Sequence, residues 1–95
     1  PTHMAEHIYM FSGKSIRVTF KVQRYLADEI IDWFGLDTVF SNVTDDDILV
    51  TVKVNENAIF YWLLQYGQHV QVLEQKELRN RVAETIEEIN KKYNI

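Results

Sequence analysis

Three cationic side chains in this sequence share a spacing that would suit an anionic ligand. Arg17, Lys21 and Lys53 lie in two segments that alternate apolar and polar residues, with Thr19 and Thr51 between them. In a strand, residues two apart point to the same face. The two segments therefore predict one sheet face that carries three cations and two hydroxyls, groups that bind phosphates or another anion. The alternative is that these side chains only solvate the face.

Other patterns that suggest chemistry lack the spacing that the chemistry needs. The string "SGKS" at residues 12–15 resembles the end of a P-loop, but Ile8 stands where the motif requires glycine, and the string precedes a strand. The acidic run at residues 45–47 lacks the glycine and distal glutamate of a calcium loop. The three histidines are scattered, and no Ser or His has the neighbours of a catalytic triad. We therefore predict a non-catalytic protein without a metal site or cofactor.

Length and composition bound the class of protein. The 95 residues are enough for one domain with a single core. The net charge of −4 argues against a protein whose entire surface binds nucleic acid, although this charge is compatible with a local basic patch. Cysteine is absent, which fits a reducing compartment. No apolar run approaches the ~20 residues that span a bilayer, so we predict a cytoplasmic protein with no membrane partner.

A short repeat indicates the fold. The string "VTFKV" at residues 18–22 returns as "VTVKV" at residues 50–54. Each copy leads into a segment with apolar residues at helical spacing, and these segments end at Gly35, which is free to take a left-handed cap, and at Gly67. Each helix is followed by a second β-prone run, at residues 38–43 and 69–74. The repeat therefore predicts two similar halves of one domain.

The order of elements predicts a ferredoxin-like split βαβ sandwich of the α+β class. Two βαβ halves, joined by a polar turn at residues 44–47, give a four-stranded antiparallel sheet in which the first and third strands are central. A third helix over about residues 75–93 follows, with one apolar stripe made of Leu78, Val82, Ile86, Ile89 and Tyr93. The third strand has no aromatic residue on which an RNA-recognition module stacks bases, which argues against that class.

The second helix carries more apolar surface than one core face requires. It starts after Asn55, a good N-cap residue, and Phe60, Tyr61 and Leu64 spread around the sides of its main stripe. Two interpretations stay open. These three residues either contact another domain or protomer, or they belong to a wide core face that the third helix shares.

A family resemblance covers residues 7–93. The segment "FYWLLQYGQHVQVLEQKELRNRVAETIEEI" resembles the C-terminal extension (WCX-type) module of WYL-domain transcriptional regulators, and "HIYMFSGKSIRVTFKV" resembles the junction that leaves the WYL domain. The family has Pro after Leu-Glu, where this chain has Gln75; proline in a first helical turn only preorganises the helix, so this departure is expected to cost little. The matching residues are Trp62, Leu63, Leu64, Tyr66, Gly67, Val70, Val72, Leu73, Glu74, Leu78, Arg79 and Val82.

The resemblance implies a part of a bacterial regulator whose other parts are a DNA-binding helix-turn-helix domain and a WYL domain. It also implies a role in sensing an effector, including single-stranded DNA, and in dimerisation. We expect residues 1–12 to be an expression remnant ("PTHM") and an interdomain junction, and residues 13–95 to be the extension domain. The alternatives are a dimerisation or docking module without a ligand, and a domain that senses a small molecule.

Overall fold

The computed structural model describes residues 12–94. The predicted remnant and junction lie outside the described residues, apart from Ser12. Within residues 12–94, no helix is long and apolar enough to cross a bilayer. The elements in chain order are β1 Ser15–Gln23, a 3₁₀ turn Arg24–Leu26, α1 Ala27–Phe34, β2 Val39–Ser41, β3 Asp47–Asn55, α2 Glu56–Tyr66, β4 Val70–Glu74 and α3 Lys76–Tyr93.

The four strands form one antiparallel sheet in the order β2-β3-β1-β4. This strand order, together with the three α-helices of which α3 is the C-terminal one, confirms the predicted ferredoxin-like fold. The central strands β1 and β3 pair along their full lengths, from Ser15 opposite Asn55 to Gln23 opposite Asp47. The edge strand β2 is shorter than the β-prone run at residues 38–43 suggested, and it pairs only with β3 residues 49–51.

The helices pack on one side of this sheet. The alternation of β1 and β3 turns Val18, Phe20, Val22, Ile48, Val50, Val52 and Val54 into the core, where they meet Ile30 of α1, several residues of α2 and Leu78 of α3. The rings of Phe20 in β1, Phe34 in α1 and Trp62 in α2 pack together, with centroids 4.9–5.8 Å apart. Burial of these aromatic side chains is a large share of the apolar area removed from water.

Some of the helix ends have the caps that the sequence predicts, and others do not. The Asn55 side chain caps α2 as predicted, accepting hydrogen bonds from the Asn57 and Ala58 amides at 2.9 and 3.0 Å. Gly35 ends α1 with φ +94° and ψ 177°, a backbone conformation that glycine tolerates but that is not the left-handed helical cap. Gly67 keeps right-handed helical angles, φ −60° and ψ −22°. The turn at residues 44–47 is held by the Thr44 hydroxyl, which accepts from the Asp46 and Asp47 amides.

The start and the end of α3 differ from expectation. Gln75 is the N-cap residue rather than part of the first turn, with φ +86°, and its side-chain oxygen accepts from the Leu78 amide at 3.0 Å. Proline cannot adopt this φ, which gives a structural reason for the departure from the family pattern. The apolar stripe of α3 is buried at Leu78 and half-buried at Val82, but Ile86, Ile89 and Tyr93 are exposed.

Candidate anion-binding face

The polar residues of β1 and β3 point away from the helices. Because side chains alternate along a strand, burial of the even-numbered residues leaves the odd-numbered ones on the opposite side. We call this side the outer face. On the two central strands it includes Arg17, Thr19, Lys21, Gln23, Asp47, Leu49, Thr51 and Lys53. The structure therefore places all five predicted anion-contact residues on one face.

The strand register brings some of these residues together and separates others. Thr19 lies opposite Thr51, and the two hydroxyls share a hydrogen bond of 2.9 Å. Lys53 lies opposite Arg17, whereas Lys21 lies opposite Leu49. Four residues of antiparallel strand rise about 14 Å, which is the separation along β1 between Arg17 and Lys21. The outer face thus carries one close cation pair, a hydroxyl pair in the middle and a single lysine farther along.

The Arg17–Lys53 pair is the unusual feature of this face. Like charges directly opposite each other on antiparallel strands repel and destabilise the sheet. Both side chains are exposed. Neither side chain makes a hydrogen bond or an ion pair with another residue of the described part of the chain. No carboxylate among residues 12–94 therefore bridges the two cations and relieves their repulsion.

A groove borders the cation pair on the side of β3 where the edge strand β2 stops short. β2 begins at Val39, which pairs with Thr51, and β4 ends at Glu74, which pairs with Thr19. Neither strand reaches Arg17 and Lys53, which pair two positions farther along β1 and β3. The groove has a volume of about 410 Å³, and Asp37 and Thr38 of the α1–β2 loop form its opposite wall.

The charge around the groove favours an anion at one end of the outer face only. Asp37 lines the groove together with Arg17 and Lys53. Glu74 pairs with Thr19, midway between Arg17 and Lys21, so it borders both ends of the face, whereas Asp47, opposite Gln23, adds an acid at the Lys21 end only. Two cations face each other at the first end, and one lysine lies at the second. A ligand with one phosphate or carboxylate group would therefore be held most strongly between Arg17 and Lys53, with the threonine hydroxyls beside it as further hydrogen-bond donors.

Comparison with known families decides the identity of the domain. A sequence profile of the WCX domain matches residues 14–89. The chain belongs to the WCX domain family. It is also 30% identical over 73 residues to the uncharacterized HTH-type transcriptional regulator YobV of Bacillus subtilis (strain 168). That match covers 76% of this chain but 23% of the regulator, so the chain spans less than a quarter of its curated relative.

The three residues predicted as a partner interface of this WCX domain differ in their exposure to solvent. Phe60 is 5% exposed, and the Arg81 guanidinium of α3 stacks on its ring at 3.8 Å. Leu64 is half-buried and packs on the core. Of these two residues, Phe60 contacts the third helix through Arg81, and Leu64 packs on the core cluster. Tyr61 is 54% exposed, and its ring centroid lies 5.3 Å from that of Phe60 in a T-shaped arrangement.

Sequence reasoning missed a polar cluster where the chain meets the first strand of the WCX domain. The Asn57 side chain donates to the Ser12 carbonyl at 2.7 Å and accepts from Arg81 at 2.8 Å. The Lys14 amide donates to the Glu56 carboxylate at 3.0 Å. Gly13 has φ +112°, and a Cβ there would lie 2.8–2.9 Å from the Glu56 and Asn57 side chains. The signal in the sequence was the pair of asparagines at positions 55 and 57, of which only the first has a cap role that can be predicted.

No group of three or more metal-ligating side chains occurs among the described residues of this WCX domain. The cationic and hydroxyl groups of the outer face are of the kind that donate hydrogen bonds to an anion.

Proposed function

We propose that this WCX domain is a non-catalytic regulatory part of a helix-turn-helix transcriptional regulator of the WYL type, and that its outer face binds an anionic effector. The observation that carries the proposal is the Arg17–Lys53 pair, two like charges held opposite each other beside an open groove. A local arrangement that destabilises the sheet is expected where it serves a ligand. A bound phosphate or carboxylate would convert the repulsion into two charge-assisted hydrogen bonds.

Single-stranded nucleic acid is the first effector to test. Its backbone presents phosphates in a row, and the outer face presents a row of cationic, hydroxyl and cationic groups along β1 and β3. The relative named as an HTH-type transcriptional regulator supports a place for the domain in a DNA-binding regulator. On this proposal the partners are the helix-turn-helix and WYL domains of a longer parent chain, and the protein works in the cytoplasm.

Fluorescence anisotropy with a short labelled oligothymidylate tests the nucleic-acid proposal. The logarithm of the binding constant falls with the logarithm of salt concentration by about 0.7 for each phosphate contact to a single strand. Replacing Arg17 and Lys53 together by Ser should therefore reduce the slope by about 1.4, from two contacts at about 0.7 each. Lys21→Ser should reduce it by no more than about 0.7.

The matched control is the Lys91→Ser/Lys92→Ser variant, which removes the same charge from exposed positions at the end of α3. It should leave the slope near that of the parent protein. A slope that is unchanged when Arg17, Lys21 and Lys53 are all replaced would overturn the assignment of this face. Binding of polyphosphate without binding of the oligonucleotide would keep the anion site and remove nucleic acid as its ligand.

A second candidate function is docking or dimerisation through the side of α2. It rests on Tyr61, the exposed member of the three residues predicted as an interface. Light scattering on the parent protein and on Tyr61→Ser distinguishes the cases. A concentration-dependent mass that the substitution abolishes would favour self-association, whereas a monomeric mass in both would remove it.

A further inference from the structure

The groove beside the cation pair has hydrogen-bond donors on one side and acceptors on the other. Arg17 and Lys53 line the sheet side, and both side chains can only donate. Asp37 lines the opposite wall, and an ionised carboxylate can only accept. Thr38 also lines this wall, and its hydroxyl donates to the Gly35 carbonyl at 2.6 Å, which leaves the Thr38 oxygen as an acceptor. A ligand that satisfies both sides therefore needs an anionic end and a donor end.

The remaining lining of the groove is mostly apolar. Phe34 is half-buried against the core and Val52 is buried, whereas Val39, at the start of β2, is 57% exposed. The volume of about 410 Å³ lies within the range of small-molecule sites, roughly 300–1,000 Å³. The groove can therefore hold the body of a small ligand as well as its charged groups.

The paired cations favour a dianion over a monoanion. Arg17 and Lys53 lie directly opposite each other on β1 and β3. A phosphodiester or a carboxylate brings one negative charge, whereas a phosphomonoester carries about 1.5 to 2 at pH 7 on three acceptor oxygens. Of these groups, the monoester comes closest to neutralising both cations, and it keeps an oxygen for a further donor. The Thr19–Thr51 pair supplies one, since two hydroxyls that share a single hydrogen bond retain one free proton.

We propose that the groove binds a phosphomonoester whose other end carries a hydrogen-bond donor, a hydroxyl, amide or amino group. This inference rests on the proposed function, because it specifies the anion that the outer face binds. The phosphate would lie between Arg17 and Lys53, and the donor would bind Asp37. Two sources share this chemistry: the phosphorylated end of a nucleic-acid strand, and a free phosphorylated metabolite of the size of a nucleoside monophosphate.

Three internally labelled oligothymidylates of equal length distinguish a terminal phosphate from an interior one. The first has a 5′ phosphate, the second a 3′ phosphate and the third neither. One phosphorylated strand should bind the 95-residue chain at least about tenfold more tightly than the third strand, the effect of one further charge-assisted hydrogen bond. The preference should disappear in Arg17→Ser/Lys53→Ser and persist in Lys91→Ser/Lys92→Ser. Thymidine 5′-monophosphate, as a competitor, tests the free metabolite.

The outcomes separate this inference from the proposed function. Three strands that bind equally, with salt slopes that depend on Arg17 and Lys53, would overturn the phosphomonoester and leave the anion-binding face in place. Binding of thymidine 5′-monophosphate without binding of any strand would support the phosphomonoester and identify a free metabolite as its source. If neither the strands nor the monophosphate bind, both proposals are wrong.

The pH dependence of binding identifies the dianion independently. The second pKa of a phosphomonoester is about 6, so the affinity for thymidine 5′-monophosphate should fall about fourfold from about pH 7.5 to about pH 5.5, with the fraction of dianion. Among the described residues, the charged side chains that line the groove are Arg17, Lys53 and Asp37, and no histidine lines it. Sulfate stays a dianion over this range and is the control, since its affinity should not change. A monophosphate affinity as constant as that of sulfate would overturn the proposal.

Asp37→Ala tests the donor end of the ligand. The substitution removes a repelling charge, so inorganic phosphate should bind more tightly than it does to the parent protein. It also removes the acceptor for the donor, so the ratio of monophosphate affinity to phosphate affinity should fall about tenfold. Glu84→Ala, which removes an exposed acid from α3, should leave this ratio unchanged. A ratio that Asp37→Ala does not lower would show that the groove does not bind the donor end, against the proposal.

Discussion

At the residue scale, the central feature is that Arg17 and Lys53 face each other across β1 and β3. A sheet selected only for stability would put opposite charges or a hydroxyl pair there, as it does with Thr19 and Thr51 one row away. The functional proposal therefore makes a claim about stability as well as binding: the cation pair costs the free protein free energy that an anion restores.

Lys53→Glu tests that claim directly. The substitution turns the like-charge pair into an opposite-charge pair, so we expect the free energy of unfolding to rise by about 0.2–1 kcal/mol in urea titrations at low salt. The gain should shrink at high salt because exposed charges are screened. Binding of an anionic ligand should weaken at the same time.

Lys21→Glu is the control for this prediction. Lys21 lies opposite Leu49, and the neighbouring rows already carry Asp47 and Glu74. A glutamate at position 21 therefore gains no partner and should not stabilise the protein. A Lys53→Glu variant that is no more stable than the parent at low salt would contradict the account of the cation pair.

The identity of the outward-facing residues followed from strand alternation, but their neighbours did not. Alternation alone predicts that Arg17, Lys21 and Lys53 share a face. Which of them touch depends on the register, and a shift of one pairing position exchanges every neighbour. The repeat suggested that Lys21 and Lys53 occupy equivalent positions. Because β1 and β3 are antiparallel, the two lysines instead lie at opposite ends of the outer face, with Thr19 and Thr51 between them.

At the scale of elements, the start of α3 shows how a local detail can escape sequence reasoning. Alignment with the family pattern placed Gln75 in the first helical turn, where proline would be harmless. The structure places it one position earlier, with φ +86° and its side chain capping the helix. A positive φ at a residue other than glycine depends on how β4 is joined to α3, which periodicity does not reveal.

Two substitutions at Gln75 check this description. Gln75→Pro should lower the free energy of unfolding by more than about 1 kcal/mol, because the ring fixes φ near −65°. Gln75→Gly removes the side-chain cap but relieves the positive φ, so the two effects should nearly cancel. Urea denaturation of both variants distinguishes them. A proline variant as stable as the glycine variant would contradict the N-cap geometry.

Element type was easier to predict than element extent. Strong local signals predicted a strand or helix at four places: the alternation in β1 and β3, the Asn55 cap before α2 and the helical periodicity of α3. The structure has the expected strand or helix at each of them. The three-residue length of β2 could not be predicted, because the β-prone run at residues 38–43 contains Asn42, whose φ of +47° ends the extended conformation. Nor does periodicity tell that the second half of α3 leaves the core, since the stripe continues unchanged to Tyr93.

At the scale of the whole molecule, the lengths of the four strands explain why one end of the sheet is open, meaning that neither edge strand pairs there with β1 or β3. The two central strands are nine residues long, and the edge strands are three and five. Within residues 12–94, the ends of the central strands therefore pair only with each other, and Arg17 and Lys53 lie there. The fold could be predicted from a two-half pattern, while the open end depends on edge-strand lengths that only the structure supplies.

The most direct measurement is an amide NMR titration of the 95-residue chain with a short single-stranded oligonucleotide at low salt. The account predicts that shifts centre on Arg17 and Lys53, extend to Thr19, Thr51 and the Asp37–Thr38 wall of the groove, and weaken as salt is added. Spectra that do not change, or shifts confined to α3 and the far side of the domain, would contradict the proposal that the outer face binds an anionic strand.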